Sequence, residues 1–533
     1  MKTLARFQKP QIVIVAAFLL LWALLSKESY PTWDAAYYYA YTRSVAFDGD
    51  LKIDNDLRLS YPTATADFVN KGYDRVKTET GRVESPYAIG SSLIWLPGLV
   101  FLRGAVAVGQ SVNVLAGQLS GYEWYFAPTI SAFSALLGLL AFWLGYRVAS
   151  PETSKFSALA SVLTLLFATP LIYYQFFEPL YSHATSAFVN GLVVYIWWRS
   201  YRQNPSYMQA ILLGGAIGLA GLVRWQNVTY IFLPLVTTIW WWLDMPASDR
   251  RLEWKRAIVS FTLLGLTILV VLSLQFSHWR LLYGSSITVP QGDSFMNLSA
   301  HFWIQVLFSP LRGLLSWMPV TFLAVLGLLL MAKKRTRLVF PLLILLLATL
   351  YVNSSSQDCF GGGGYGPRRF SSELVVFILG YSGLIEAIQG RVRKPIVAIL
   401  GLGLVFHQWI LLRFGLEERI GGRVMSMYPE YRWSEVSYEE FLKSIARHFS
   451  DIIASPRDFF VQPLSPLGEL LDGRWPGSQF FTLLAAAVIL LLIWLLFEFI
   501  RTRDYATQTY YYLGAIVVVA FILIANIWIL NWA

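Results

Sequence analysis

The chain has 533 residues, of which 56% are apolar and 14% charged, and its mean hydropathy is +0.52. These values exclude a soluble enzyme and a disordered scaffold, and they predict an all-α polytopic membrane protein. The formal net charge is +10, but the basic residues cluster between apolar segments. Membrane orientation therefore explains the charge better than nucleic-acid binding does. The single cysteine, Cys359, excludes an internal disulfide and a thiolate zinc cluster.

Seven basic groups fall on alternate sides of successive apolar segments, as the positive-inside rule requires of cytoplasmic loops. They lie at 2–9, 147–155, 199–202, 250–256, 333–337, 391–394 and 501–503. The alternation predicts about 13 transmembrane helices, with the N-terminus in the cytoplasm and the C-terminus outside. The predicted spans are 10–27, 124–146, 156–174, 183–199, 208–226, 228–243, 257–279, 312–332, 338–353, 371–389, 395–413, 478–500 and 508–530.

Three regions follow from this topology. Residues 1–413 form the main transmembrane region, with a long first outer loop at 28–123 that contains juxtamembrane helices. Residues 414–477 form an outer loop with an amphipathic helix near Ser434–Ile453, and residues 478–533 contain the C-terminal transmembrane helices. We interpret 87–108 as a helix in or dipping into the outer leaflet, because a further span would invert every later basic loop. A signal peptide is the alternative for residues 1–30, although no small-residue cleavage site is evident.

Carboxylates are concentrated just after the first span. Asp34 is followed by a predicted helix at 35–47, and a capping role for Thr32 or Asp34 is the alternative to a chemical one. Four further carboxylates follow within nine residues, which is typical of a turn and also suits a divalent metal such as Mg²⁺ or Ca²⁺. They are Asp48, Asp50, Asp54 and Asp56, and their spacing is not that of an EF-hand.

Ionisable residues recur at the other predicted outer junctions, where they have little reason to face lipid. Gly361–Gly364 allows close approach to the backbone, and the paired Arg368 and Arg369 are matched to phosphate. The alternative for this pair is snorkelling to lipid headgroups or neutralising Glu373. The other candidates are Glu178, His183, Arg224, Arg312, Asp358, Tyr365 and, beside Asp34, Tyr38.

A base, a phosphate clamp and an opening to lipid at one membrane face suit sugar transfer from a polyprenyl-phosphate donor, which requires no nucleotide. The Trp33-Asp34, Tyr37-Tyr38, Arg43-Ser44 and Asp48-Gly-Asp50 elements resemble GT-C superfamily glycosyltransferases, including protein O-mannosyltransferases and lipid A aminoarabinose transferases. Phe308-Ser-Pro-Leu-Arg312 and Tyr365-Gly-Pro-Arg368-Arg369 are similar to elements of related bacterial proteins. The match covers most of the chain to about residue 413, but Asp34 is followed by Ala35 where the family often has a second acid.

The resemblance implies that Asp34 is the general base in an inverting transfer to an extracytoplasmic lipid, glycan or protein acceptor. It implies that Arg368 or Arg369, with Arg312 or Arg224, stabilises the leaving phosphate, and that Glu178 and His183 support or orient the acceptor. No cofactor is required, with a divalent metal as the less favoured variant. The expected location is a bacterial inner membrane, with the active site outside. The rivals are a transporter or flippase of lipid-linked sugars or anions, and a non-catalytic envelope assembly protein.

Overall fold

A computed structural model of the chain describes most of the residues before 421 and a short segment after them. The described residues are 9–26, 31, 33–60, 77–111, 119–201, 206–299, 302–310, 312–359, 361–362, 364–420 and 483–488. Residues 421–477 of the predicted outer loop, with its amphipathic helix, and most of the two C-terminal spans lie outside these residues, whereas 414–420, also predicted as loop, continue the helix that begins at Arg393. No β-strand occurs within them, which confirms the all-α prediction for the described part of the chain.

The described residues form helices joined by short connections. In chain order they are α1 Lys9–Leu25, α2 Asp34–Arg43, α3 Asp54–Ser60, α4 Gly90–Ser111, α5 Phe126–Ala149, α6 Lys155–Phe167, α7 Leu171–Phe176, α8 His183–Ser200, α9 Tyr207–Val223, α10 Phe232–Asp244, α11 Ala247–Tyr283, α12 Trp303–Phe308, α13 Leu314–Trp317, α14 Val320–Ser354, α15 Leu374–Ala387 and α16 Arg393–Ile420. A π-helix, Ser44–Asp48, continues α2, and 3-10 helices at Trp225–Ile231 and Arg368–Glu373 precede α10 and α15.

Six helical segments of the described chain are long and apolar enough to cross a membrane. They are Gly90–Ser111, Phe126–Ala149, Glu253–Tyr283, Val320–Ser354, Arg368–Ala387 and Arg393–Leu412, and shorter apolar helices lie at Pro10–Leu25, Lys155–Phe167 and Tyr207–Val223. The protein is therefore a helical membrane protein. The expected total of about 13 spans stays a prediction.

Several predicted element boundaries differ from those observed. Val320–Ser354 carries one label, α14, but it comprises two helices that meet at Arg335, whose φ of −135° and ψ of 44° are not helical. The division predicted between the spans 312–332 and 338–353 therefore agrees with the structure, although the first of these helices begins at Val320. The span predicted at 156–174 is divided into α6 and α7, because Pro170 cannot continue a helix. The segment at 87–108, expected to lie in the outer leaflet, forms the 22-residue helix α4, whose length and composition match a membrane span.

Glycines allow the closest helix contacts. A Cβ atom at Gly327 of α14 would lie 1.8 Å from the carbonyl oxygen of Gly380 in α15. These two helices therefore cross with their backbones in direct contact. A Cβ atom at Gly90 would lie 2.3 Å from the carbonyl carbon of Leu222. The start of α4 is thereby packed against the end of α9, which brings the chain before α4 close to the residues that follow α9.

The basic groups meet at one end of the helix bundle. Glu152 pairs with Arg335 and accepts a hydrogen bond of 2.8 Å from Trp198 Nε1. Glu386 pairs with Arg393 at 2.6 Å. Because α8 runs towards this end and α9 runs away from it, the start of α8 and the end of α9 lie at the opposite end of the bundle. The predicted outer residues are found there.

Candidate active site

Asp34 is the first residue of α2 and does not act as its cap. The cap residue is Trp33, which has a φ of 50° and makes no side-chain capping hydrogen bond. Positive φ is strained for a bulky residue, and such strain is found where the surrounding structure requires one particular chain path. The capping alternative for Asp34 is therefore wrong, while Thr32 lies outside the described residues. The helix predicted at 35–47 is confirmed as α2 and its π-helical continuation.

The Asp34 carboxylate connects two segments that are far apart in the chain. Its Oδ2 accepts a hydrogen bond of 2.9 Å from Arg368 Nη1, and its Oδ1 accepts one of 2.8 Å from the Tyr87 hydroxyl. The side chain keeps 22% of its surface exposed, against 13% for Arg368. Burial and the charge of Asp34 raise the pKa of Tyr87, so its hydroxyl stays protonated and donates. Each carboxylate oxygen thus has one donor, and the group remains open to a further ligand.

The glycine run shapes a cradle for the Arg368 side chain. Arg368 Nε donates to the Gly361 carbonyl at 2.6 Å. A Cβ atom at Gly364 would lie 2.5 Å from Arg368 Cδ, so any larger residue there would displace the guanidinium. Gly361 and Gly362 have φ values of 80° and 65°, which glycine adopts without strain. The glycine loop, which the sequence analysis predicts to allow close approach to its backbone, therefore holds Arg368 against Asp34.

Arg369 and Arg312 support the same loop. Arg369 Nη2 lies 3.1 Å from Asp358 Oδ2, and Arg369 Nη1 donates to Ser356 Oγ at 2.6 Å. Asp358 Oδ1 also accepts from the backbone N–H of Gly362 at 2.6 Å. The Arg312 guanidinium donates to the Gly362 carbonyl. The alternative in which the arginine pair neutralises Glu373 is not what the ion pairs show, because the partners are Asp34 and Asp358.

Arg224 differs from the other arginines in its partners. Its Nη1 lies 3.3 Å from Ser182 Oγ, and 3.2 Å and 3.3 Å from the two ring nitrogens of His183. Within the described residues, it forms no ion pair with a carboxylate. His183 is almost fully buried, and its ring centroid lies 4.1 Å from that of Tyr174. Among the described side chains, half-buried Arg224 makes hydrogen-bond contacts with Ser182 and His183 and lies within ion-pair distance of no carboxylate.

Three predicted residues take supporting positions. Tyr365 is buried, with its ring stacked on Tyr173 at 4.8 Å and its hydroxyl accepting from Gln408 Nε2 at 2.6 Å. Tyr38 is also buried, and this burial raises the pKa of its hydroxyl. Glu178 lies half-buried in the turn between α7 and α8. No described contact joins Tyr365 or Glu178 to Asp34.

Sequence reasoning missed residues that contact the predicted ones. Tyr87 and Ser182 are hydrogen-bond partners of Asp34 and Arg224, and Tyr181 lies under the Arg368 guanidinium, with its ring centroid 5.8 Å away. The signal for Ser182 and Tyr181 was their position beside His183. Tyr87 stood at the edge of a segment interpreted as lipid-facing, so its hydroxyl had no predicted role.

The four carboxylates at Asp48, Asp50, Asp54 and Asp56 have protein partners. Asp48 and Asp56 both pair with Arg43, Asp50 accepts from Ser44 Oγ at 2.7 Å, and Asp54 pairs with Lys77. In the part of the chain that the structure describes, no group of three or more His, Cys, Asp or Glu side chains is arranged to hold a metal ion. These aspartates stabilise the first outer loop, and the metal variant stays an untested expectation.

Comparisons with known proteins give limited information. No family model and no curated protein matches the chain. Among solved structures, ArnT from Cupriavidus metallidurans bound to undecaprenyl phosphate is 13% identical, with 90% of this chain and 77% of that chain covered and a TM-score of 0.45. The archaeal oligosaccharyltransferase AglB from Archaeoglobus fulgidus, in complex with an inhibitory peptide and a dolichol-phosphate, is 13% identical, with 80% of this chain and 60% of that chain covered and a TM-score of 0.44.

At TM-scores below 0.5, these similarities carry no argument about activity. The function proposed for this chain therefore rests on its own side chains.

Proposed function

We propose that this protein is a glycosyltransferase that moves a sugar from a polyprenyl-phosphate donor to an extracytoplasmic acceptor. The observation that supports it best is the pairing of Asp34 with Arg368 and Tyr87 beside Arg224, a cation that no described carboxylate neutralises. This cluster combines an accessible carboxylate with free positive charge at one end of a membrane helix bundle. The lipid part of such a donor would remain in the bilayer while its phosphate reaches the cluster.

In the proposed reaction, Asp34 is the general base. The acceptor oxygen or nitrogen attacks the anomeric carbon, its proton passes to an Asp34 oxygen, and the bond from the anomeric carbon to the phosphate oxygen breaks with its electrons leaving on the phosphate. Single displacement of this kind inverts the anomeric centre. Tyr87 and Arg368 each hold one carboxylate oxygen, so they orient the base while leaving lone pairs for the proton.

Arg224 is the residue best placed to hold the leaving phosphate. Arg368 is paired with Asp34 and Arg369 with Asp358, so their charges are already neutralised. Within the part of the chain that the structure describes, the hydrogen-bond partners of the Arg224 side chain are Ser182 and His183, and a phosphate would give it a partner of opposite charge. Phosphate binding there would stabilise the negative charge that develops on the leaving group. This assignment selects one arginine from the four that the sequence offered.

The test compares wild type with Asp34→Asn, each purified and reconstituted in liposomes, on a panel of polyprenyl-phosphate sugars with crude envelope acceptors. We expect Asp34→Asn to keep donor binding and to lose at least about a hundredfold in transfer rate, the lower range for a general base. Asp244→Asn is the matched control, because Asp244 also pairs with an arginine, Arg337, but at the opposite end of the bundle.

Two results would overturn the proposal. The first is that Asp34→Asn and Asp244→Asn lower the rate of sugar transfer by the same factor. The other is movement of the lipid-linked sugar across the liposome membrane by wild type without any transfer, which would make the protein a flippase. A companion variant, Arg224→Gln, should raise the KM for the donor at least about tenfold, since a charged hydrogen bond to phosphate is lost.

A further inference from the structure

A basic cavity lies beside the first outer loop. It has a volume of about 430 Å³ and is lined by Lys52, Asp54, Thr80, Gly81, Arg82, Arg280, Leu281 and Gly284. Its volume falls in the range of small-molecule sites, which is about 300–1,000 Å³. None of its lining residues belongs to the Asp34 cluster. The cavity is therefore distinct from the candidate active site.

The cavity walls are fixed by hydrogen bonds between distant segments. The Thr80 hydroxyl lies 2.6 Å from the Leu282 carbonyl oxygen at the end of α11 and donates to it. The Tyr283 hydroxyl donates to the Ser85 carbonyl at 2.9 Å. A tight turn with a backbone hydrogen bond of 2.8 Å from Thr78 to Arg82 orients the chain that carries Gly81. The loop is thus held against α11, and the cavity between them is formed by ordered groups.

The charge of the cavity is positive. Lys52, Arg82 and Arg280 contribute three cations, while the one acidic lining residue, Asp54, is already paired with Lys77. In the described residues, neither Lys52 nor Arg280 forms an ion pair with a carboxylate. Cations without counter-charges around a concave site attract anions, and lysine and arginine together suit phosphate oxygens.

We propose that this cavity binds a phosphate group, either on a phospholipid headgroup or on a soluble phosphate ester. The site is additional to the proposed transferase centre and does not depend on it. Arg82 and Tyr87 are five positions apart in the chain, so their Cα atoms lie at most about 17 Å apart. A phosphate held there would stand next to the chain that carries the Asp34 partner.

The test measures binding by isothermal titration to the full-length protein in phosphatidylcholine nanodiscs, with no donor present. The probes are inorganic phosphate and dihexanoyl phosphatidic acid, with dihexanoyl phosphatidylcholine as the lipid control. We expect the double variant Lys52→Gln/Arg280→Gln to weaken binding of the preferred probe at least about tenfold, since two charged contacts are lost. Lys255→Gln/Lys334→Gln, which removes two exposed lysines elsewhere, is the charge-matched control and should bind as wild type does.

The outcomes separate the two sources of phosphate. Tighter binding of phosphatidic acid than of inorganic phosphate supports a lipid headgroup, and the reverse order supports a soluble ester. The proposal is overturned if neither probe binds, or if both double variants weaken binding equally, which would indicate a general effect of net charge. Because no sugar transfer is measured, failure here is distinguishable from failure of the proposed transferase activity.

Discussion

The two ends of α2 and its π-helical continuation carry the same chemistry in different surroundings. At the first end, Asp34 pairs with Arg368, and their side chains are 22% and 13% exposed. At the second end, Arg43 pairs with Asp48 and Asp56, and the Arg43 and Asp56 side chains are 7% and 0% exposed. Both ends place an arginine against aspartate. At the second end Asp56 is fully buried, whereas Asp48 is 27% exposed. We call the first end the open end and the second, where the arginine and one of its two aspartates are buried, the closed end.

At the second end, the Arg43 side chain has several protein partners. Besides its two carboxylates, Arg43 donates from Nε to the Ser120 carbonyl at 2.7 Å, and its guanidinium lies over the rings of Phe47 and Tyr122. The fully buried Asp56 has no surface to offer a substrate. Accessibility therefore separates the candidate base from Asp56 but not from Asp48, whose Oδ2 accepts from both Arg43 and Asn55.

The largest expected effect is on stability at the closed end. Arg43→Gln removes the cation shared by Asp48 and Asp56, and above about pH 8, where Asp56 is ionised, breaking this buried pair leaves an uncompensated charge. We expect the free energy of unfolding to fall by about 3 kcal/mol. The measurement is denaturant unfolding of the detergent-solubilised protein, followed by tryptophan fluorescence.

Arg337→Gln is the control for Arg43→Gln, because Arg337 forms an ion pair with Asp244 but is 65% exposed. Exposed pairs contribute about 0–1 kcal/mol, so this variant should unfold close to wild type. Equal losses for the two variants would contradict the distinction between a closed pair and an open one.

An intermediate effect is expected at the open end from Tyr87→Phe. The change removes the hydroxyl that donates to Asp34 at 2.8 Å and keeps the ring, so the base loses one of its two orienting contacts. If the proposed chemistry holds, kcat for sugar transfer should fall about tenfold, equal to about 1.4 kcal/mol, while thermal stability changes little. Tyr351→Phe removes a hydroxyl that donates to the Leu298 carbonyl and should leave kcat unchanged. A lower melting temperature with unchanged kcat would make Tyr87 a structural residue only.

The helical character of the protein and the grouping of the outer residues can be predicted from the sequence, because both follow from the alternation of apolar spans with basic loops. Basic loops at every second helix end place Arg224 and Arg368 at one end of the bundle, and an early Asp34 follows directly from the first apolar run. The pairing of Asp34 with Arg368, which are 334 positions apart, could not be predicted from the sequence. It depends on Gly361 and Gly364 shaping the loop and on close helix packing at Gly90, which are tertiary effects.

The individual roles of the arginines were equally inaccessible from sequence. Arg224, Arg312, Arg368 and Arg369 look alike in the chain, and only their contacts distinguish them. Arg368 and Arg369 pair with aspartates, Arg312 donates to the Gly362 carbonyl, and Arg224 lies against Ser182 and His183. The division between the two spans predicted on either side of Arg335 could, by contrast, be predicted from the sequence. The basic stretch 333–337 marks that boundary by composition, and the non-helical φ and ψ of Arg335 divide the two helices there.

The last prediction concerns the pH dependence of stability at the closed end. Burial, opposed by Arg43, raises the pKa of Asp56 to about 7 from a usual value of 3.8. The folded state then binds a proton more readily than the unfolded state, so the contribution of Asp56 to stability is fully present below about pH 4 and is lost as the pH rises to about 7. Asp56→Asn imitates the protonated side chain, so the melting temperature of wild type minus that of the variant should fall between pH 5 and pH 7 and stay level above about pH 8. A difference that stays constant, or rises, across this interval would mean that Asp56 is ionised in the folded protein and that its pair with Arg43 is a charged one.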